Sequence, residues 1–453
     1  MKDKNIKHIT RWSLSYYIFH LYIKFMHWLF YRKIVVEGKE NIPENEPVII
    51  APNHQNALMD ALAVIFTSGR QVVFLARADI FNSPFLARVF TWLKILPVYR
   101  IRDGAENLKY NDDTFSSAIS VLENNMPIGL FPEAAHSNKR RLLSFKKGVP
   151  RIAFLAEEEH DFKMGVKVVP VGIYYSRYNK FRSIIHIRYG KPIKVSDFKE
   201  QYQENPGKGM IALRDAMKKA TEPLVINITN LEFYDMYESL RTIFLKTVGK
   251  RFKFHEINQG NRFFVDKMTI QLLNRFGEKN PKKRQQLKRK VNLLKKYTEK
   301  YSLSYQSIAK PKLNAFRLVW NSFLLVLFFP LFLYGLINNL IPYLLPKLLV
   351  LKFKDLQFHS SVKFVGGIFL LPLFYLIQTI IFSSFVDGWH WTLLYLISLP
   401  ITGLIAQFYH EWFALTRKDI LLYKLKKTNT PQYRKIKALY HDIMSYLDEI
   451  LEA

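Results

Sequence analysis

Short apolar runs alternate with amphipathic segments through the first part of the chain. The runs at 34–37, 48–51, 72–76, 128–131, 168–175 and 184–189 have the length and composition of buried strands. Between them, 58–67, 86–93, 114–123 and 149–159 place apolar residues at helical spacing. This alternation predicts an α/β domain over 34–194, a mixed sheet covered by helices. Ahead of it, 12–31 is an aromatic-rich helix carrying Trp12, Tyr16, Phe19, Tyr22, Trp28 and Phe30, and it either lies in a membrane interface or packs on the α/β domain. Lys24, His20 and His27 break its apolar face, unlike the clean core of a cleaved signal peptide.

The pattern then changes twice. Residues 195–312 are polar, charged and helical, with Asn205-Pro206-Gly207-Lys208-Gly209 as a hinge, and 281–300 is a strongly basic helix. From 313 the charge almost vanishes. The runs 323–337, 364–386 and 391–408 are apolar, and the latter two reach the ~20 residues a bilayer crossing needs. Asp387-Gly388 between them is a turn signal, which predicts a helical hairpin. Pro330, Pro342 and Pro346 predict a broken or re-entrant course for 331–351. The organisation expected is thus an interfacial helix over 1–33, the α/β domain over 34–194, a basic helical region over 195–312, membrane helices over 313–412 and a basic amphipathic tail over 413–453.

Composition supports that outline. A chain of 453 residues with 49% hydrophobic and 15% aromatic content suits an integral membrane protein. A net charge of +30 calls for an anionic partner: nucleic acid, a phosphorylated substrate or an anionic bilayer. Nucleic-acid signatures are absent, so membrane lipids and phosphates are the expected partners and nucleic acid is not. Basic residues in 281–300 and after Arg417 fall on one side by the positive-inside tendency, which gives an even number of crossings and a cytoplasmic α/β domain. Zero cysteines exclude disulfides and thiolate chemistry.

The candidate chemistry lies in Ala51-Pro-Asn-His-Gln-Asn-Ala-Leu-Met-Asp60. His54 falls at a strand-to-helix turn and Asp60 further into the helix. An aspartate turned back towards the turn can hold one ring nitrogen and leave the other as a base, so the nucleophile must be a substrate hydroxyl. Such a pair also arises by chance, and no other His or carboxylate stands near His54 at metal-ligand spacing, so no metal is expected.

Three further stretches add weight: Leu96-Pro-Val-Tyr-Arg-Ile-Arg102, Ile128-Gly-Leu-Phe-Pro-Glu-Ala-Ala-His-Ser137 and Lys167-Val-Val-Pro-Val-Gly-Ile-Tyr-Tyr175. With the His54 stretch they stand in the order and spacing of the four blocks of the glycerolipid acyltransferases, a family that the chain resembles from about 35 to 193. The run Tyr175 to Ile193, with Lys180-Phe-Arg-Ser183, is similar to the fungal glycerol-3-phosphate and dihydroxyacetone-phosphate acyltransferases, which also carry an extra residue between His and Asp. Departures are five residues, Gln55 to Met59, where four are commoner, Ala134 where glycine usually follows the glutamate, and His136 where an arginine is frequent.

The resemblance implies a membrane-bound O-acyltransferase, acting in phospholipid biosynthesis, that moves a fatty acyl group from an acyl thioester to glycerol-3-phosphate or 1-acyl-glycerol-3-phosphate. His54 would be the general base and Asp60 its partner. Arg100 and Glu133 fall on substrate-binding positions, and Arg102, His136, Ser137, Lys146 and Lys147 lie close to these blocks with groups suited to a phosphate or oxyanion. Backbone amides in 133–137 would hold the oxyanion. No cofactor is implied, only acyl-CoA or an acyl carrier protein thioester as co-substrate. Another lysolipid acceptor, or a non-catalytic lipid-binding protein with this fold, is the alternative.

Overall fold

The computed structural model describes residues 9–99, 110–254, 260–309 and 314–452. Two compact units result: Met1–Thr229 with Phe353–Phe364, and Asn230–Lys352 with Val365–Ala453. In the first unit, strands β1 (Lys33–Glu37), β2 (Val48–Pro52), β3 (Val73–Arg77), β4 (Ile95–Val98), β5 (Ile128–Gly129), β6 (Lys167–Tyr175), β7 (Ile184–Tyr189) and β8 (Ile193–Lys194) form one sheet. Its order is β1-β7-β6-β2-β5-β3-β4, with β8 also paired to β6. Pairing is parallel except where β6 meets β7 and β8, so the sheet is mixed, as the alternating pattern predicts.

Val48, Ile49 and Ile50 are fully buried because helices cover both faces of the central strands, and this is why those strands read as unbroken apolar runs. The helices of this unit are α1 (Leu14–Phe30), α2 (Leu58–Thr67), α3 (Pro84–Trp92), α4 (Tyr110–Glu123), α5 (Gly148–Glu158), α6 (Lys199–Glu204) and α7 (Pro206–Thr221). Pro170 sits inside β6, where a missing N–H would ordinarily cost a ladder bond. Here β8 pairs with Lys167 and Val168 and β7 begins opposite Val171, so the proline falls in the gap between two partners. Leu213, Met217 and Val225 join the sheet's core, and a Cβ on Gly172 of β6 would stand 2.2 Å from the Leu224 carbonyl oxygen. The first unit therefore runs to Thr229, past the 194 expected from composition.

Helix α1 packs on the α/β domain along one side and keeps an apolar face outward. Ile23, His27 and Phe30 are buried, with His27 against Phe66, while Trp12, Leu14, Ile18, Leu21, Phe25 and Trp28 stay exposed as an apolar face.

The second unit is helical: α8 (Tyr234–Ile243), α9 (Leu245–Arg251), α10 (Arg262–Lys279), α11 (Pro281–Lys300), α12 (Tyr305–Ile308), α13 (Ala315–Leu327), α14 (Phe329–Val350), α15 (His359–Ser383, whose first turns belong to the first unit), α16 (Trp389–Lys427) and α17 (Pro431–Glu452). Basic α11 buries Leu287, Val291 and Leu294 and pairs Lys283 with Glu449 and Lys290 with Asp442 of α17, so part of its charge is spent within the protein. Among the described residues, three helices are long and apolar enough to cross a membrane: Phe329–Val350, Leu356–Ser383 and Trp389–Lys427. The last two meet at a turn where Gly388 has φ 102°, as Asp387-Gly388 predicts.

The proline-rich stretch corrects the broken course expected for it, because α14 is one continuous helix with Pro342 and Pro346 inside. A proline at 342 leaves the carbonyl of Asn338 without its helical donor. The Gln378 side-chain amide donates to that carbonyl at 3.0 Å, so a neighbouring helix supplies the bond that the proline removes.

Candidate active site

Strand β2 ends at Pro52, and Asn53 locks the chain beyond it. Its amide donates to the Val171 carbonyl, and its side-chain oxygen accepts from the Ile173 amide at 2.6 Å. The next residue, His54, is thereby presented at the C-terminal end of the sheet, where functional side chains concentrate in such folds. Asp60 lies in the first turn of α2 and is fully buried. Its Oδ2 accepts from His54 Nδ1 at 3.0 Å and from the Gln55 and Asn56 amides at 2.7 Å each. Its Oδ1 accepts from the Tyr175 hydroxyl at 2.7 Å. The aspartate thus ties the loop ahead of the helix to its first turn and orients the imidazole at once. With Nδ1 donating, Nε2 is left as the acceptor, the arrangement a general base requires.

The extra residue between His54 and Asp60 is absorbed at Ala57, whose φ of 45° and ψ of −124° lie outside the ordinary regions for an L-residue. The loop does not widen at Gln55-Asn56, because those two amides are held by Asp60. In the third block, Ala134 adopts φ 50°. The alanine keeps a conformation that glycine takes without cost, so the loop survives the substitution.

Glu133 is buried beneath the dyad rather than open to a ligand. Oε1 accepts from the His54 amide at 3.1 Å and Oε2 from the Leu143 amide at 3.0 Å. Desolvation dominates the two amides and pushes its carboxyl up to about 8. His136 faces the dyad, with ring centroids 5.3 Å from His54. Burial, then the nearby His54 and Arg77, bring its imidazole down to about 4, so it is neutral at pH 7 and does not act as the cation that an arginine would be. The amides of Ser137 and Ala134 donate to the His54 and Phe131 carbonyls, so two of the expected oxyanion donors are already engaged. Lys146 and Lys147 are exposed at the start of α5. Arg140, from the same basic cluster, instead donates to the Tyr175 carbonyl at 2.7 Å and lies over the Tyr174 and Tyr178 rings. Arg100 and Arg102 lie outside the described residues.

The site holds partners that were not among the candidate residues. Phe131 stacks on His54 at 3.8 Å and 14°. Tyr175 holds Asp60, and Tyr178 donates to the Gln55 side-chain oxygen at 2.6 Å. The sequence signal for both tyrosines is their place at and just after the end of the 168–175 run; it is the parallel pairing of β2 with β6 that brings the chain after Val171 beside the chain after Pro52.

Comparison with known proteins accords with this geometry. Residues 33–174 match the Acyltransferase family. A 1-acyl-sn-glycerol-3-phosphate acyltransferase of Borreliella burgdorferi is 32% identical over 174 residues, 38% of this chain and 63% of that one. Glycerol-3-phosphate O-acyltransferase 2 of Saccharomyces cerevisiae is 29% identical over 209 residues, 44% of this chain and 27% of the yeast protein. The chain therefore spans less than two thirds of either relative. The solved 1-acyl-sn-glycerophosphate (LPA) acyltransferase from Thermotoga maritima aligns at a TM-score of 0.34 and 23% identity, over 46% of this chain and 78% of that one. The resemblance to the glycerolipid acyltransferases, the fungal glycerol-3-phosphate enzymes among them, thus holds across the α/β domain.

Proposed function

We propose that the protein is a membrane-bound O-acyltransferase that transfers a fatty acyl group from acyl-CoA or an acyl carrier protein thioester to glycerol-3-phosphate or 1-acyl-glycerol-3-phosphate. The observation that carries this reading is the His54–Asp60 pair with every Asp60 bond directed at orientation. No protein hydroxyl or thiol is needed as nucleophile, because the acceptor supplies it. The acceptor oxygen attacks the thioester carbonyl while Nε2 of His54 takes the hydroxyl proton. The tetrahedral oxyanion then collapses, the C–S bond breaks, and the leaving thiolate takes the proton from the imidazolium. The amides of Ala135 and His136 are the oxyanion donors in this scheme, since those of Ala134 and Ser137 are engaged. Arg100 and Arg102, with Lys146 and Lys147, carry the phosphate in the same reading, arginine being the better fork for two oxygens. The three membrane-capable helices among the described residues support a membrane enzyme. The basic helix α11 pairs with α17 and so shares a side with it, which leaves an even number of crossings and, by the positive-inside tendency, an α/β domain on the cytoplasmic side in this reading.

The test offers the full chain, in detergent or vesicles, acyl-CoA and acyl carrier protein thioesters with glycerol-3-phosphate and with 1-acyl-glycerol-3-phosphate side by side. Ester formation on one or both acceptors is expected. Thioester consumption with neither acceptor acylated would sink the reading.

A further inference from the structure

Twelve dozen residues and more after the matched domain ends, the chain returns to the first unit through Phe353–Phe364, a segment outside the region that matches the family. Its attachment is specific. The Ser360 hydroxyl donates to the Tyr178 carbonyl at 2.6 Å, and Lys363 Nζ donates to the Asn179 carbonyl at 3.1 Å. Phe364, 3% exposed, meets Phe30 edge-on at 5.5 Å. Tyr178 in turn donates its hydroxyl to Gln55 and accepts from the Asn56 side chain through its carbonyl, so the segment is fastened to the loop between His54 and Asp60.

One side chain of the segment reaches the site. Phe358 packs edge-on against His136 at 4.9 Å, and His136 packs edge-on against His54 at 5.3 Å. Phe131 covers a face of the His54 ring, and Phe74 lies behind Phe131 at 5.6 Å. Five rings thus run in file from the sheet to the segment. His136, held between the His54 and Phe358 rings, is the side chain through which the segment meets the base.

We infer that Phe353–Phe364 forms a wall of the acyl-acceptor site, in which Phe358 positions His136 and sets how bulky a glycerol-phosphate monoester can reach His54. The inference rests on the acyltransferase reading above. Shortening Phe358 makes room at the wall, and a larger ring removes it, so selectivity should move in opposite directions in the two cases. Discrimination by apolar bulk of this size is on the order of tenfold.

The experiment compares the full chain with Phe358→Leu, Phe358→Ala and Phe358→Trp, measuring kcat/KM for glycerol-3-phosphate and for 1-acyl-glycerol-3-phosphate. Leu and Ala should shift the ratio towards the acylated acceptor by about tenfold and Trp away from it, with the acceptor KM moving and the thioester KM unchanged. The second arm uses the absence of native cysteine. Phe358→Cys gives a single thiol, whose maleimide alkylation should slow when 1-acyl-glycerol-3-phosphate is added, while that of Lys208→Cys, an exposed position on α7, should not. A ratio within about twofold of the parent in all three variants, or alkylation at 358 indifferent to the acceptor, would overturn the inference. Failure of the parent to acylate either acceptor would instead overturn the function proposed above, and the alkylation arm would still decide whether the segment borders a site for such a ligand.

Discussion

The central strands and the long helices of the second unit are built from the same apolar residues and use them in opposite ways. Ile49 and Ile50 of β2 are fully buried, whereas Ile337 of α14 is 65% exposed, Ile380 of α15 60% and Phe385 after it 84%. A strand obtains its backbone partners from other strands, so its side chains end between layers that the sheet itself gathers. A helix satisfies its backbone alone and can leave its side chains facing outward, which suits a lipid solvent. Apolar composition alone does not distinguish these cases; run length and the source of the backbone bonds do.

The widest separation between the two units should be in chemistry. His54→Ala is expected to lower acyl transfer by about 10²- to 10⁴-fold, with circular dichroism and thermal unfolding unchanged, because Asp60 keeps its bonds to Gln55, Asn56 and Tyr175. Near-normal turnover would mean that the reaction is run elsewhere. Next in size is a matched pair of truncations. Ile50→Ala should destabilise the first unit by roughly 2 to 5 kcal/mol, while Ile380→Ala, on an exposed helix face, should stay within about 0.5 kcal/mol in detergent denaturation. Equal costs would erase the contrast between core and outward face.

The smallest effect concerns Glu133. Its folded-state carboxyl is raised from 4.5 to about 8, so the folded protein holds this proton where the unfolded chain has released it. Glu133 therefore favours folding most below pH 4.5, and that contribution is lost as pH rises towards 8. The unfolding midpoint of the first unit should fall between pH 5 and pH 8, and Glu133→Gln should flatten the slope. An unchanged slope in the variant would assign the pH dependence to another group.

Much of the first unit was legible because strand runs and helix spacing are local. The six predicted strands are present, although 128–131 shortens to Ile128–Gly129, and two further strands, β4 at Ile95–Val98 and the short β8, lie outside the predicted runs. His54 and Asp60 were legible as a pair because both belong to one turn. Glu133 was legible as important but not in its role, since only the folded chain shows its oxygens on two backbone amides. The proline-containing helix was misread because its remedy, Gln378, sits on another helix. Ser360 and Phe358 carried no local signal at all, their partners Tyr178 and His136 being far away along the chain.

Ala57 bears on how relatives of such a domain are found. The distance along the chain from histidine to aspartate is not what the site requires; it requires an aspartate able to hold the two amides after the histidine while facing the ring. With an unusual backbone conformation at Ala57, five intervening residues still let His54 and Asp60 meet at 3.0 Å. A search pattern with a fixed gap would therefore pass over chains like this one. A pattern that admits a variable gap, with a tyrosine at the end of the later strand to hold the second carboxylate oxygen, would retain them.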